Sequence, residues 1–148
     1  VGGIRKIVYH RTVTNLIHSL GLEKNVVFCG RLTDSALFKE YREAVVFVLP
    51  SYEESQGIVI LEAMATGTPV VATRAGGIPD MIQDGTNGRL VNCGDDKQLA
   101  DVIMSLLKEK EQRKRLGDAG KQSAFQYLPE KIARQHLDVY NRILNQFS

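Results

Sequence analysis

Two carboxylates eight residues apart, Glu54 and Glu62, bracket the most informative stretch of the chain, Pro50-Ser-Tyr-Glu-Glu-Ser-Gln-Gly-Ile-Val-Ile-Leu-Glu62. Between them Ser55, Gln56, Gly57, Ile58 and Val59 offer successive backbone N–H groups at the start of a helix. Such amides have no intrahelical acceptors, and they carry the positive end of the helix dipole. Placed at the carboxyl edge of a parallel sheet, they form an anion site. Gly57 has no Cβ and lets a phosphate approach the main chain. A helix rises about 1.5 Å per residue, which separates the two carboxylates by roughly 10–12 Å. That span suits a nucleotide sugar, with sugar hydroxyls at one carboxylate, ribose hydroxyls at the other and the diphosphate on the amides between.

The elements that must hold these groups alternate short apolar runs with helical periods, the pattern of a parallel α/β sheet. Val13, Leu16, Ile17 and Leu20 follow helical spacing up to Gly21, and Asn25 to Cys29 reads as a strand. Thr33-Asp34 caps a helix from Ser35 to Ala44. Val45 to Leu49, apolar throughout, reads as a strand buried on both faces. A helix from Gly57 to Thr66, closed by Gly67, leads to a strand from Pro69 to Thr73 and a short helix from Ile78 to Ile82. Asp84 to Gly88 is a turn and Arg89 to Val91 a short strand. Asp95-Asp96 caps a helix carrying Leu99, Val102, Ile103, Leu106 and Leu107. Helices follow over roughly 111–125 and 129–146, the last with an apolar stripe of Ile132, Leu137, Tyr140, Ile143, Leu144 and Phe147. No complete strand precedes the first long helix, and Val-Gly-Gly reads as the end of one.

Composition bounds the answer. The 148 residues, 43% apolar and 24% charged, suffice for one core and not for two full domains. A net charge of +2 gives no footprint for nucleic acid. The basic excess from Ser105 onward, nine Lys or Arg against five acidic residues, reads as a solvated helix face rather than a membrane patch. The longest apolar runs, Val45 to Pro50 and Ile58 to Leu61, fall far short of a bilayer span, and no signal peptide is visible. Cys29 and Cys93 form no CxxC pair, and His10, His18 and His136 do not cluster, so no zinc site is expected. Both thiols read as small core hydrophobes in a reducing compartment.

The segment around Glu54 resembles the nucleotide-sugar domain of retaining GT-B-fold glycosyltransferases, specifically glycosyltransferase family 4 (group 1). Glu54 and Glu62 match its E-x7-E motif. Pro50-Ser51, Gly57-Ile58-Val59, Leu61 to Ala65, Gly67 to Ala72, Gly76-Gly77 and Asp84 to Gly88 match the surrounding words, as do Asn25 to Phe28 with Gly30, and Tyr41 ahead of Ala44. The resemblance implies a Rossmann-like α/β parallel sheet with helices on both faces, the C-terminal lobe of the fold without its first strand and helix. Residues 1–148 would be one truncated nucleotide-sugar-binding domain, with the helix 129–146 crossing towards an absent N-terminal lobe.

Roles follow from the same resemblance. Glu54 would contact donor-sugar hydroxyls and Glu62 the ribose. Amides of Gln56, Gly57, Ile58 and Val59 would hold the β-phosphate. Gly30, Arg31 and Leu32 would lie beside the nucleobase, and Gly76-Gly77 would shape the cleft edge. The donor would be a UDP-, GDP- or ADP-linked sugar, with no other cofactor and no metal. The acceptor would be bound by the absent lobe. Two features depart from the family: Ser55 and Gln56 replace the usual Gly and aromatic, and the family's Arg and Lys on the leaving diphosphate match no residue here. The chain alone is therefore expected to be inactive, and the full-length enzyme to be cytoplasmic, with peripheral membrane contact open by analogy. A nucleotide-sugar epimerase of the same fold and a non-catalytic nucleotide-binding module are the alternatives. A phosphorylase-like enzyme would need a cofactor lysine, and none occurs between Lys39 and Lys97.

Overall fold

The computed structural model describes residues 2–146, and side chains from Tyr9 to Gln146. Two compact units meet in sequence between Thr33 and Asp34. The first holds helix α1 (Gly2–Ser19), a turn at Leu20-Gly21 and an irregular segment. The Leu22 N–H bonds to Ile17 O (3.0 Å) and the Gly21 N–H to His18 O (3.1 Å), so Gly21 ends the helix as expected.

Two expectations fail in this unit. Gly2 and Gly3 lie inside α1 rather than at a strand end, and Asn25 to Cys29 forms no strand. A strand exists only where a neighbour takes its backbone groups, and no described residue ladders with this segment. Its apolar side chains are correspondingly open: Val27 is 81% and Phe28 54% exposed.

The second unit carries the sheet. Its elements run α2 (Asp34–Glu43), β1 (Phe47–Leu49), α3 (Ile58–Ala65), β2 (Val70–Thr73), α4 (Ile78–Met81), β3 (Arg89–Val91), α5 (Asp96–Lys108), α6 (Lys110–Ala124), a 3-10 turn (Phe125–Tyr127) and α7 (Pro129–Asn145). The strands are parallel in the order β1-β2-β3, with Val48 beside Val71 and Ala72 beside Leu90. All four residues of β2 are buried. Its pleat sends Val70 and Ala72 into a core with Tyr41, Ile60, Met64, Ile78 and Ile82. Val71 goes to the opposite face with Val91, Val102, Leu106 and Leu116. This period of two dictates helices on both faces. The strand β1 is only half-buried along its length, not enclosed as expected, because it occupies an edge of the sheet.

The helix ends follow the sequence cues. Asp95 caps α5 by accepting the Gln98 N–H (2.9 Å). At the carboxyl end of α3 the Gly67 N–H bonds to Met64 O (2.8 Å) and the Thr68 N–H to Ala63 O (3.2 Å). The helix α6 approaches this end through Gly117, where a Cβ would stand 2.2 Å from Gly67 O. The turn before β3 is held by Asn87, which is buried. Its amide donates to Met81 O (3.1 Å) and Ser123 Oγ (3.0 Å), and its Oδ1 accepts the Gln83 N–H (2.8 Å). The expected stripe of α7 is present, and its Leu137, Tyr140, Ile143 and Leu144 are exposed; Phe147 lies outside the described residues. No helix among the described residues is long and apolar enough to cross a membrane.

Asp84 ties the same turn to both neighbouring strands. Its Oδ1 accepts from the Leu90 N–H (3.0 Å) and Arg89 Nε (3.1 Å), and its Oδ2 from an Arg74 guanidinium nitrogen (3.0 Å). Burial pushes this carboxyl upward, but the Leu90 amide and the Arg89 and Arg74 guanidinium groups outweigh it and hold it below the usual carboxylate range.

Two stability predictions follow from these contacts. Gly117→Ala gains about 1 kcal/mol of helix propensity but drives a methyl into the Gly67 carbonyl. Overpacking of this kind costs roughly 1–3 kcal/mol, so urea unfolding is expected to show a net loss. Asp84→Asn removes a carboxylate whose stabilisation exists above the unfolded carboxyl value, about 3.9, and fades as pH falls through the lower folded value. Thermal melts should find the variant less stable at pH 7, with the gap to the parent closing in acid.

Candidate functional site

Because the three strands are parallel, Leu49, Thr73 and Val91 deliver their following loops to one edge of the sheet. Polar contacts tie these loops together. The Thr73 hydroxyl donates to Ser51 O (2.5 Å), and the Cys93 thiol lies 3.6 Å from Arg74 O and 3.8 Å from Ser51 O. Cys93 is thus an exposed group of the loop edge, and Cys29 is exposed as well. The expectation that both were core residues fails, since both thiols lie in irregular segments and are exposed.

Two main chains also meet at this edge. The Gly77 N–H bonds to Glu54 O (3.3 Å). A Cβ on Gly76 would stand 1.7 Å from Glu54 O, and one on Gly77 2.7 Å from Ser55 O. Gly76 also has φ of +48°, a region that side-chain-bearing residues rarely adopt. The diglycine after β2 is therefore what lets the Glu54-Ser55 backbone settle against it.

From there the chain turns into α3 at Gly57, which is buried with φ of +63° and serves as the N-cap. A Cβ there would press on Ile60 Cδ1 and Met81 Cε, each 3.2 Å away. Gly57 O accepts the Ile60 N–H (2.8 Å). Among the described residues the N–H groups of Gln56, Gly57, Ile58 and Val59 have no acceptor. Four amides and the positive end of α3 thus lie on the loop that follows β1.

Glu54 is half-buried, and its carboxylate has no partner among the described residues. Glu62, also half-buried and on the second turn of α3, accepts at Oε2 from the Tyr41 hydroxyl (3.0 Å). Sequence reasoning missed this contact. The signal for it was a tyrosine at a core position of α2, since a buried phenol usually finds a partner for its hydroxyl. Burial, then the hydrogen bond to Glu62 and its negative charge, push the Tyr41 hydroxyl up to about 12.

The second unit therefore brings together Glu54, the four amides and Glu62. Gly30, Arg31 and Leu32 belong to the first unit, in its irregular segment, where Gly30 has φ of +65°. Arg74, the cation nearest in sequence to the diglycine, is engaged by Asp84. The described residues contain no group of three or more His, Cys, Asp or Glu that could hold a metal ion.

Comparison with known proteins gives a consistent answer. The family model described as "Glycosyl transferases group 1" matches residues 2–123. An N-acetyl-alpha-D-glucosaminyl L-malate synthase from Bacillus anthracis is 37% identical over 90% of this chain and 35% of its own length. The C-terminal domain of a group 1 family protein from Francisella tularensis superposes with a TM-score of 0.75 at 30% identity, over 83% of this chain and 64% of that one. Anabaena HepE in complex with UDP-glucose superposes with a TM-score of 0.82 at 28% identity, over 90% of this chain and 37% of that one. The chain spans about a third of the length of the curated relatives it matches. Family match, parallel sheet and loop edge agree, and the chain belongs to the group 1 glycosyltransferases.

Proposed function

We propose that this chain is the donor-binding part of a retaining, family 4 glycosyltransferase that moves a hexose from a nucleoside-diphosphate sugar to an acceptor hydroxyl. The observation that carries the reading is the run of acceptorless amides from Gln56 to Val59, flanked by the carboxylates of Glu54 and Glu62. In this reading the amides bind the β-phosphate, Glu62 the ribose hydroxyls and Glu54 the hydroxyls of the donor sugar. Gly30, Arg31 and Leu32 are assigned to the nucleobase on the family resemblance alone. The relative crystallised with UDP-glucose supports a nucleoside-diphosphate sugar as the donor class.

The chemistry follows from where charge develops. The bond between the sugar C1 and the β-phosphate oxygen breaks, and its electron pair leaves on the phosphate. The acceptor hydroxyl makes the new bond to C1 on the retained face and gives its proton to the departing phosphate oxygen. Negative charge therefore grows on the phosphate oxygens as the sugar becomes cation-like. Fixed N–H dipoles at the start of α3 stabilise that charge without reorganising. This arrangement needs no metal, because the helix end supplies the positive potential. The acceptor belongs to another lobe of the full-length enzyme, towards which α7 is directed, and the enzyme works in the cytoplasm or at the cytoplasmic membrane face.

Three substitutions test the reading in the intact gene product. Glu62→Ala is expected to weaken binding of UDP, GDP or ADP about tenfold, the loss of a charged hydrogen-bond acceptor; calorimetry showing unchanged affinity removes the ribose assignment. Glu54→Ala is expected to lower turnover roughly tenfold or more while diphosphate affinity stays within about threefold. Parent-like turnover would sink the sugar role. Gly76→Ala places a methyl on the Glu54 carbonyl and is expected to cost about 2 kcal/mol or more of stability. An unfolding midpoint equal to the parent's would show that the loop can retreat.

A further inference from the structure

We infer that Tyr41 is a positioning residue for Glu62: its hydroxyl holds one carboxylate oxygen so that the other faces the ribose hydroxyls of a nucleoside diphosphate. The inference rests on the ribose reading of Glu62 and extends it to a residue that touches no ligand. Tyr41 projects from α2, is 5% exposed, and donates to Glu62 Oε2 at 3.0 Å. Its ring is clamped edge-on by Phe38 (centroids 5.9 Å) and Phe47 (5.4 Å). Its own carbonyl accepts the Thr68 hydroxyl (2.5 Å), which pins the same turn of α2 to the connection between α3 and β2.

The donor is therefore fixed in space by three elements, whereas Glu62 is a flexible side chain whose ordering costs entropy. Oε1 of Glu62 has no partner among the described residues, so the carboxylate keeps acceptor capacity for two adjacent hydroxyls. The phenol, with its pKa pushed up to about 12, stays protonated across the physiological range and can only donate in this contact. A phenol that merely satisfied its own burial would stabilise the fold and leave ribose recognition untouched. The two roles separate by experiment.

Tyr41→Phe keeps the ring and removes the hydroxyl. In the intact gene product, calorimetry with UDP, GDP and ADP, and with the 2′,3′-dideoxy form of whichever binds, reads the effect. Tyr41→Phe is expected to weaken the ribonucleotide about five- to tenfold, to leave the dideoxy form unchanged, and to add nothing in a Glu62→Ala background. Equal affinity of parent and Tyr41→Phe, while Glu62→Ala weakens binding, overturns this inference and spares the ribose reading. Equal losses for ribo and dideoxy forms, or a Tyr41→Phe chain that does not fold, also overturn it, because the hydroxyl then serves the core. A parent that binds the dideoxy form as tightly as the ribo form, or binds none of the three diphosphates, overturns both.

Discussion

The contact between the Gly76-Gly77 backbone and the Glu54-Ser55 backbone is the constraint on which the loop edge depends. Two main chains meet there at distances that leave no room for a Cβ. The Gly77 N–H is spent on Glu54 O, which fixes where the β1 loop must leave the sheet. That in turn determines where Gly57 can turn the chain and where the first amides of α3 end up. Position along the loop is thus set by main-chain hydrogen bonding and excluded volume, and the side chains of Glu54 and Gln56 are left to vary in what they contact.

A second feature is that the cation nearest the diglycine in sequence is already paired. Arg74 leaves β2 beside the diglycine, yet its guanidinium is held by Asp84, which also takes Arg89. The start of α3 carries positive potential from oriented peptide groups instead. Peptide dipoles do not titrate and are held by the helix that generates them, whereas a lysine or arginine brings a mobile side chain that must be ordered at each binding event. The Tyr41–Glu62 pair likewise uses a neutral group, a phenol that donates to the carboxylate without neutralising it.

Much of this was legible in the residues. The apolar run from Pro69 to Thr73, the helical stretch after Thr33, the apolar spacing from Leu99 to Leu106 and the cap at Asp95 each gave an element of the right type. These are local signals, read from periodicity and capping chemistry. Glu54, Gly57 and Glu62 were legible because their spacing crosses a loop into a helix. What failed was decided by neighbours rather than by the segments themselves. Asn25 to Cys29 has strand-like side chains, but a ladder needs a second strand. Val45 to Leu49 is uniformly apolar, but its half-burial comes from standing at the sheet edge. Cys93 looked like a core residue, and the crossing of three loops placed it at the surface. The Tyr41 hydroxyl met Glu62 across twenty-one residues, a distance that no periodicity reports.

The edge position of β1 also bears on how the chain behaves in solution. Its ladder with β2 uses one side of the strand, and no described residue pairs with the other. Unpaired backbone of this kind recruits further strands, and proteins commonly limit the hazard by keeping such strands short. At three residues β1 offers only a short docking length for such a partner.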